Sequence, residues 1–156
     1  MSSPEAPDLK DGAFVIIRHK EDTDAILLVR QSYNRCKWSL PGGGIRLGEI
    51  ATHGGKREVL EEASVEVFGL KLVGVFTLLK KYGMVLLFEA QSWEGVPKPD
   101  GNETIEVKFA TLEEMDRTPD DIWTAQRALM HIANEMREHA RPVYGHLTMP
   151  PIIVRG

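Results

Sequence analysis

An α/β fold, a mixed β-sheet with helices packed on it, is predicted by three features of the sequence. These are the order strand, strand, helix, strands, helix; the Val, Ile, Leu and Phe content of the short apolar runs; and a length of 156 residues, which suits one domain. Hydrophobic residues make up 42% of the chain and charged residues 27%, an ordinary balance for a domain with its own core. A chain of this size buries roughly 70% of the surface it exposes unfolded, so a metal is expected to serve function rather than hold the fold.

Residues 1–12, with Ser, Pro and Asp in MSSPEAPDLKDG, are expected to form a flexible lead-in. Residues 13–18 (AFVIIR) and 25–30 (AILLVR) have strand length and flank the polar KEDTD, which predicts a hairpin. A brief strand at 38–40 then enters a loop: Pro41 lacks a donor, and Gly42, Gly43 and Gly44 forbid regular structure and suggest a close backbone approach. From about residue 50 to 63 apolar and small residues recur at helical spacing, and Lys56, Arg57, Leu60, Glu61 and Glu62 are strong helix formers. Gly54 and Gly55 cost such a helix about 1 kcal/mol each relative to Ala, which fits tight packing against a sheet; the alternative is a helix that starts near Gly55.

Residues 65–79 and 84–93 are rich in Val, Leu and Phe and flank Lys80, Lys81, Tyr82 and Gly83, predicting a long hairpin. Residues 104–110 (TIEVKFA) alternate as a strand. Trp123, Leu129, Ile132 and Met136 mark an amphipathic helix over 121–139. The domain is therefore expected over residues 13–140. Residues 141–156 form a tail without usable periodicity, whose Ile152, Ile153 and Val154 could add a strand to a second copy and form a homodimer.

Lys and Arg total 19 against 23 Asp and Glu, a net charge of −4 that argues against nucleic-acid polymers and anionic membranes as partners. An anionic substrate then needs a local cation. No apolar run approaches the ~18 residues of a spanning helix. The first twelve residues lack the basic and apolar regions of a signal peptide, and Cys36 has no intramolecular disulfide partner, so the cytoplasm is the expected compartment.

Glu58, Glu61 and Glu62 stand at i, i+3 and i+4 of the first predicted helix and share one face. Like charges so placed destabilise a helix by a few tenths of a kcal/mol per pair and push carboxyl pKa values up. Either the face is solvated, or a hard divalent cation such as Mg²⁺, which takes oxygen ligands, gathers it. Cys36 has no local nucleophile signature and is expected to be a free thiol, and His53 is expected to be solvated rather than a ligand.

Around these acids the chain runs Gly43, five residues, Glu49, seven residues, Arg57, Glu58, Val59, Leu60, Glu61, Glu62, Ala63, Ser64, Val65. This pattern resembles the Nudix box and departs from it only at Ser64, where the family has glycine. Six fixed residues at set spacing arise by chance with a probability on the order of 10⁻⁵. The resemblance extends to the Trp38 to Gly43 entry and to the element order on both sides. It implies an α/β/α sandwich whose box forms a loop, helix, loop unit that binds Mg²⁺ or Mn²⁺ and hydrolyses the diphosphate linkage of a nucleoside diphosphate linked to a moiety X. It further implies Glu58, Glu61, Glu62 and the Gly43 carbonyl as metal ligands, Arg57 as the residue that orients the carboxylates, and Glu49 as their supporting acid.

In this family a general base often stands outside the box. Glu103 is the best match and Glu106 the second, each otherwise an exposed strand-end acid. Arg46, Trp38 and Tyr82 are the candidate substrate contacts. The position of Tyr82 resembles that of a tyrosine in dinucleoside polyphosphate hydrolases, and it equally suits a hairpin tip. The proline that marks many ADP-ribose hydrolases at about this distance is missing, so a nucleoside triphosphate or dinucleoside polyphosphate is favoured over ADP-ribose. Trp38 serves either base stacking or the core. Pro119 to Trp123 faintly resembles a base-recognising stretch, while Asp120 or Asp121 as a helix N-cap explains it more simply. Ser64 supports one alternative function, a catalytically impaired nucleotide-binding or sensing module.

Overall fold

Alternate residues of β1 (Lys10–Ile16) and β2 (Ile26–Gln31) face opposite cores, and this alternation builds the chain in three layers. The computed structural model describes residues 10–78 and 82–154, with the side chains of Asn34 and Tyr82 outside that description. Phe14 and Ile16 of β1 and Ile26 and Leu28 of β2 meet Ala128, Leu129 and Ile132 of the helix Thr124–Glu135. Val15, Leu27 and Val29 face the other way, onto Val59 and Ala63 of the helix Ala51–Ala63. One helix therefore covers each face of the β layer, as burial of two apolar faces requires.

The remaining strands are β3 (Trp38–Ser39), β4 (Gly42–Gly44), β5 (Glu66–Thr77), β6 (Tyr82–Glu94), β7 (Thr104–Ala110), β8 (Val143–His146) and β9 (Ile152–Val154). The helices are α1 (Ala51–Ala63), α2 (Leu112–Arg117) and α3 (Thr124–Glu135). Among the described residues one sheet has the order β4-β1-β6-β5-β8-β9 and a second has β3-β2-β7. β1 runs parallel to β6 and β5 parallel to β8, while the other pairs are antiparallel, so the large sheet is mixed. No helix among the described residues is long and apolar enough to cross a membrane.

Several expectations need correction. The hairpin of residues 13–30 exists only at its tip, where His19 N–H donates to the Ala25 carbonyl and Leu27 N–H to Ile17, each at 2.9 Å. Beyond it the strands part, because β1 pairs with β4 and β6 while β2 pairs with β3 and β7. The glycine triplet is a strand, not a loop. Gly42 has φ 154°, and a Cβ there would stand 2.3 Å from the Ala13 carbonyl oxygen, so glycine lets β4 lie against β1. β1 begins at Lys10, inside the stretch expected to be a lead-in.

Residues 143–146 and 152–154 of the expected tail complete the large sheet, with Val143 fully buried. Ile152 to Val154, expected to meet a second copy, pair in register with β8 of their own chain. The long hairpin forms as β5 and β6, paired from Glu66↔Glu94 to Thr77↔Met84. Its turn at Lys80 and Lys81 lies outside the described residues, and Gly83 is in β6. The last helix is shorter than 121–139: Pro119–Asp121 form a separate 3-10 turn and Trp123 occupies the N-cap position. Neither Asp120 nor Asp121 caps it. α2 was not legible as periodicity; Thr111 caps it by accepting from Glu114 N–H at 3.2 Å.

Candidate active site

The candidate site forms where α1 crosses β4. α1 starts at Ala51, before Gly55, and both helix glycines are buried. A Cβ on Gly55 would sit 3.3 Å from Val15 Cγ2, so glycine lets the helix approach β1 closely, whereas a Cβ on Gly54 would lie 2.9 Å from Glu49 Oε1. Gly43 is constrained from the same side, since a Cβ there would stand 2.9 Å from the Glu58 carboxyl. Three glycines thus make room for two carboxylates and a helix backbone.

Arg57 joins these pieces. Its Nε donates to Glu49 Oε2 at 2.8 Å and its Nη2 to Glu49 Oε1 at 3.0 Å. Nη2 also donates to the Gly44 carbonyl at 3.2 Å, and Nη1 to Glu58 Oε1 at 3.0 Å and Glu61 Oε2 at 3.2 Å. Only a planar guanidinium offers donors in such a fan. Glu49 in addition accepts from Arg46 N–H at 3.0 Å. The Arg57 side chain, with help from that N–H, holds the Glu49 carboxyl down to about 2, and the same pairing raises Arg57.

Glu62 differs. Burial, reinforced by the charge of Glu58, pushes its carboxyl well above the usual range, although Gly42 N–H donates to Oε2 at 3.2 Å. Glu58 and Glu62 also stand in hydrogen-bond contact. With Glu58 15% and Glu61 50% exposed, the acids run from the helix–sheet junction out to solvent.

The structure also bears on the fit of a divalent cation. Among the described residues no three His, Cys, Asp or Glu side chains converge into a ready cage. The donor set is nonetheless all oxygen, and while Glu58 shares the Arg57 guanidinium, the buried Glu62 beside it has no ion-pair partner among the described residues. Mg²⁺ ordinarily takes one or two protein carboxylates and completes its shell with water and phosphate. Glu58 and Glu62, backed by Glu61 and the Gly43 carbonyl, fit such an ion.

Glu103 lies on the opposite rim, and its charge reaches both Glu62 and Tyr33. Ser32 N–H donates to the Glu103 carbonyl at 2.9 Å, and Thr104 Oγ1 to the Glu62 carbonyl at 2.8 Å, which ties β7 to the end of α1. Burial alone would raise Asp100, but the N–H groups of Thr104 and Asn102 that it accepts hold it low and pin the loop carrying Glu103. Glu106 is instead paired with Arg30 at 2.6 Å.

Arg46 is 66% exposed, with Nη2 3.8 Å from Glu61 Oε1. Trp38 is 8% exposed and packed in the larger core, with the Lys108 ammonium 4.3 Å from its ring centroid; the core role of this ring is the one observed. Tyr82 opens β6 opposite Lys10, and its side chain lies outside the described residues. His53 is exposed and Cys36 is a free thiol. Ser64 adopts the left-handed conformation, φ 59° and ψ 29°, with its N–H donating to Leu60 O, so the helix ends as a glycine would end it.

Residues absent from the sequence expectations also take part. Thr104 and Asp100 fix the rim, and Tyr33 is 45% exposed beside the acids. A cavity of about 270 Å³ is lined by Arg30, Arg35, Lys37, Trp38, Asp120 and Asp121. The parallel bridge Trp38↔Ile122 brings Asp120 and Asp121 there, a contact between distant segments that no local pattern signals.

A family model described as NUDIX domain matches residues 8–131. A Bacillus subtilis (strain 168) protein, provisionally described as an 8-oxo-dGTP diphosphatase, is 33% identical over 100 residues, which span 64% of this chain and 65% of that protein. That match covers just under two thirds of the relative's length. A MutT-like protein of Streptomyces ambofaciens is 28% identical over 126 residues, 79% of this chain and 80% of that protein. Among solved structures, a NUDIX hydrolase from Nitrosomonas europaea matches with TM-score 0.73 and 25% identity, covering 91% of this chain and 79% of that one. The MutT protein from Methanosarcina mazei Go1 matches with TM-score 0.70 and 26% identity, covering 89% and 100%.

Proposed function

This chain belongs to the NUDIX domain family, and from that premise we propose that it is a divalent-metal-dependent hydrolase of a phosphoanhydride bond in a nucleoside triphosphate. The observation that carries the proposal is the carboxylate set of α1, fanned out by Arg57 and backed by a buried Glu62 with a raised pKa. The relative described for 8-oxo-dGTP supports a nucleoside triphosphate as the substrate proposed. The cavity at Trp38 is of a size to admit part of a nucleoside, and Asp120 and Asp121 there offer acceptors to base N–H groups. The compartment we propose is the cytoplasm, where Cys36 stays reduced.

Glu58, Glu61 and Glu62 with the Gly43 carbonyl would hold Mg²⁺ or Mn²⁺. When bound, such an ion supplies positive charge to phosphate oxygens and acidifies water. Arg57 holds Glu58 and Glu61 side by side and offsets their mutual repulsion. Glu49, pinned by Arg57 and the Arg46 N–H, anchors that arginine to the loop before α1. Glu103, on the far rim, accepts the proton of the attacking water at its carboxylate, a role that Glu106 cannot share while bound to Arg30. Arg46, on the exposed side, meets substrate phosphate. No feature favours the impaired-module alternative, since Ser64 keeps the backbone geometry that a box glycine supplies.

A chromatographic product screen tests this function, with Mg²⁺ or chelator, against nucleoside triphosphates, dinucleoside polyphosphates, ADP-ribose and sugar nucleotides. Metal-dependent release of a nucleoside monophosphate and pyrophosphate, or of a diphosphate and orthophosphate, is expected with a triphosphate. Turnover confined to ADP-ribose would replace the substrate class, and no turnover of any candidate would remove the hydrolase.

A further inference from the structure

Tyr33 stands between the two halves of the site. Ser32, immediately before it, donates its N–H to the backbone carbonyl of Glu103 at 2.9 Å. Asn34–Cys36, immediately after it, form a 3-10 turn that continues into the cavity wall at Arg35 and Lys37. That turn is held in an unusual form: Arg35 and Cys36 both have positive φ, 67° and 55°, which non-glycine residues adopt at a cost. Arg30 Nε donates to the Cys36 carbonyl at 3.0 Å, and Cys36 N–H donates to the Tyr33 carbonyl at 3.1 Å, so that with the Ser32 bond the chain is held before and after Tyr33. The residue nevertheless stays 45% exposed, and the charges of Glu62, Glu103 and Glu58, which belong to α1 and to the loop before β7, reach its phenol.

A tyrosine left 45% exposed, on a chain held before and after it and set between the loop of Glu103 and the cavity wall, is not explained by packing. We propose that Tyr33 is a substrate-contacting residue whose hydroxyl donates a hydrogen bond to the phosphate chain where it passes from the cavity to the carboxylates of α1. The inference rests on the nucleoside triphosphate hydrolase proposed above. A tyrosine hydroxyl carries its proton at neutral pH and so donates to an anion.

The test is equilibrium binding, which needs no turnover. Wild-type protein and Tyr33→Phe are titrated calorimetrically, in Mg²⁺, with a non-hydrolysable nucleoside triphosphate analogue and with inorganic tripolyphosphate; Mn²⁺ affinity and thermal melting are measured beside them. The expected result is about tenfold weaker binding of both ligands to Tyr33→Phe, the loss typical of one hydrogen bond to a charged group, with Mn²⁺ affinity and melting unchanged. Unchanged binding of both ligands would overturn the contact. Weakening for the nucleotide but not for tripolyphosphate would overturn it in favour of a nucleoside contact, and a loss of Mn²⁺ affinity in step would show a general disturbance of the acids. A wild-type protein that binds both ligands but hydrolyses nothing removes the proposed activity and leaves the Tyr33 contact standing. One that binds neither removes both.

Discussion

Gly43 and Glu62 show how little freedom the site leaves to single residues. A methyl group on Gly43 would stand 2.9 Å from the Glu58 carboxyl, so Gly43→Ala must displace that carboxylate or β4. We expect its kcat/KM to fall by more than about tenfold while the far-ultraviolet circular dichroism spectrum stays that of the wild type, because a small misplacement near reacting groups is costly to rate. Wild-type kinetics in this variant would mean that Glu58 is not a ligand.

Glu62 makes a pH prediction whose sign follows from its raised pKa. Burial, and then the charge of Glu58, favour the protonated carboxyl in the folded state. Without metal, its contribution to stability is therefore fully present below the ordinary carboxylate range and is lost as pH rises through the raised value. A cation needs the deprotonated form, so kcat/KM at limiting Mg²⁺ should climb with pH above the ordinary range. Rate profiles at about ten times lower and higher Mg²⁺ check this, and a profile flat from about pH 5 to 9 at low Mg²⁺ would contradict it. The sequence displays the acids, but not which of them is buried. That depends on Gly42 and Thr104, which reach Glu62 from other parts of the chain.

At the scale of elements, α1 carries the chemistry and its two ends are secured differently. Its C-terminus closes on Ser64 in the left-handed region, where a side chain is strained and glycine is not. Ser64→Gly should therefore raise unfolding free energy by about 1 kcal/mol with unchanged kcat, read from denaturant midpoints. A lower midpoint would show that the serine makes a contact worth more than its strain. The N-terminal end is secured by Glu49, whose carboxyl is held down to about 2 by Arg57 and the Arg46 N–H. Since that value is below the unfolded one, the stability it provides is present above about pH 4.5 and disappears as pH falls toward 2. The difference in melting temperature between wild type and Glu49→Gln should thus be largest near neutrality and close in acid. A difference independent of pH would mean that charge is not what Glu49 contributes.

Elements with strong local signals were legible in the sequence. β7 spans the residues expected, and α1 is read from its spacing, because the 2.0 and 3.6 periodicities are local properties. The glycine strand β4 and the strands β8 and β9 were not, because they exist only through partners: β1 supplies the edge for β4, and β5 the edge for β8. Tyr33 and the cavity at Trp38 were invisible for the same reason, since segments far apart in sequence meet there.

Over the whole molecule, the two cores on either side of the β layer explain how an overall acidic chain holds an acidic site open. α1 is anchored through Val59 and Ala63, so its charged face needs no burial of its own. The large sheet reaches past residue 140, where Val143 is fully buried and β8 lies against β5. Deleting residues 141–156 should therefore lower stability by about 3 kcal/mol or more, from the loss of buried apolar area and strand pairing, as read by denaturant titration. An unchanged midpoint would show that the strands after residue 140 add nothing to the fold.

The most direct test of the central claim, that the acids of α1 work as a cation-dependent hydrolytic centre, is the initial rate of nucleoside triphosphate hydrolysis for wild type and Glu62→Gln, each with Mg²⁺ and with excess chelator. Wild type should turn over only with Mg²⁺, and Glu62→Gln should lose on the order of 100-fold or more in kcat while melting no lower than the metal-free wild type. Hydrolysis that survives chelation, or a Glu62→Gln variant as active as wild type, would contradict the account.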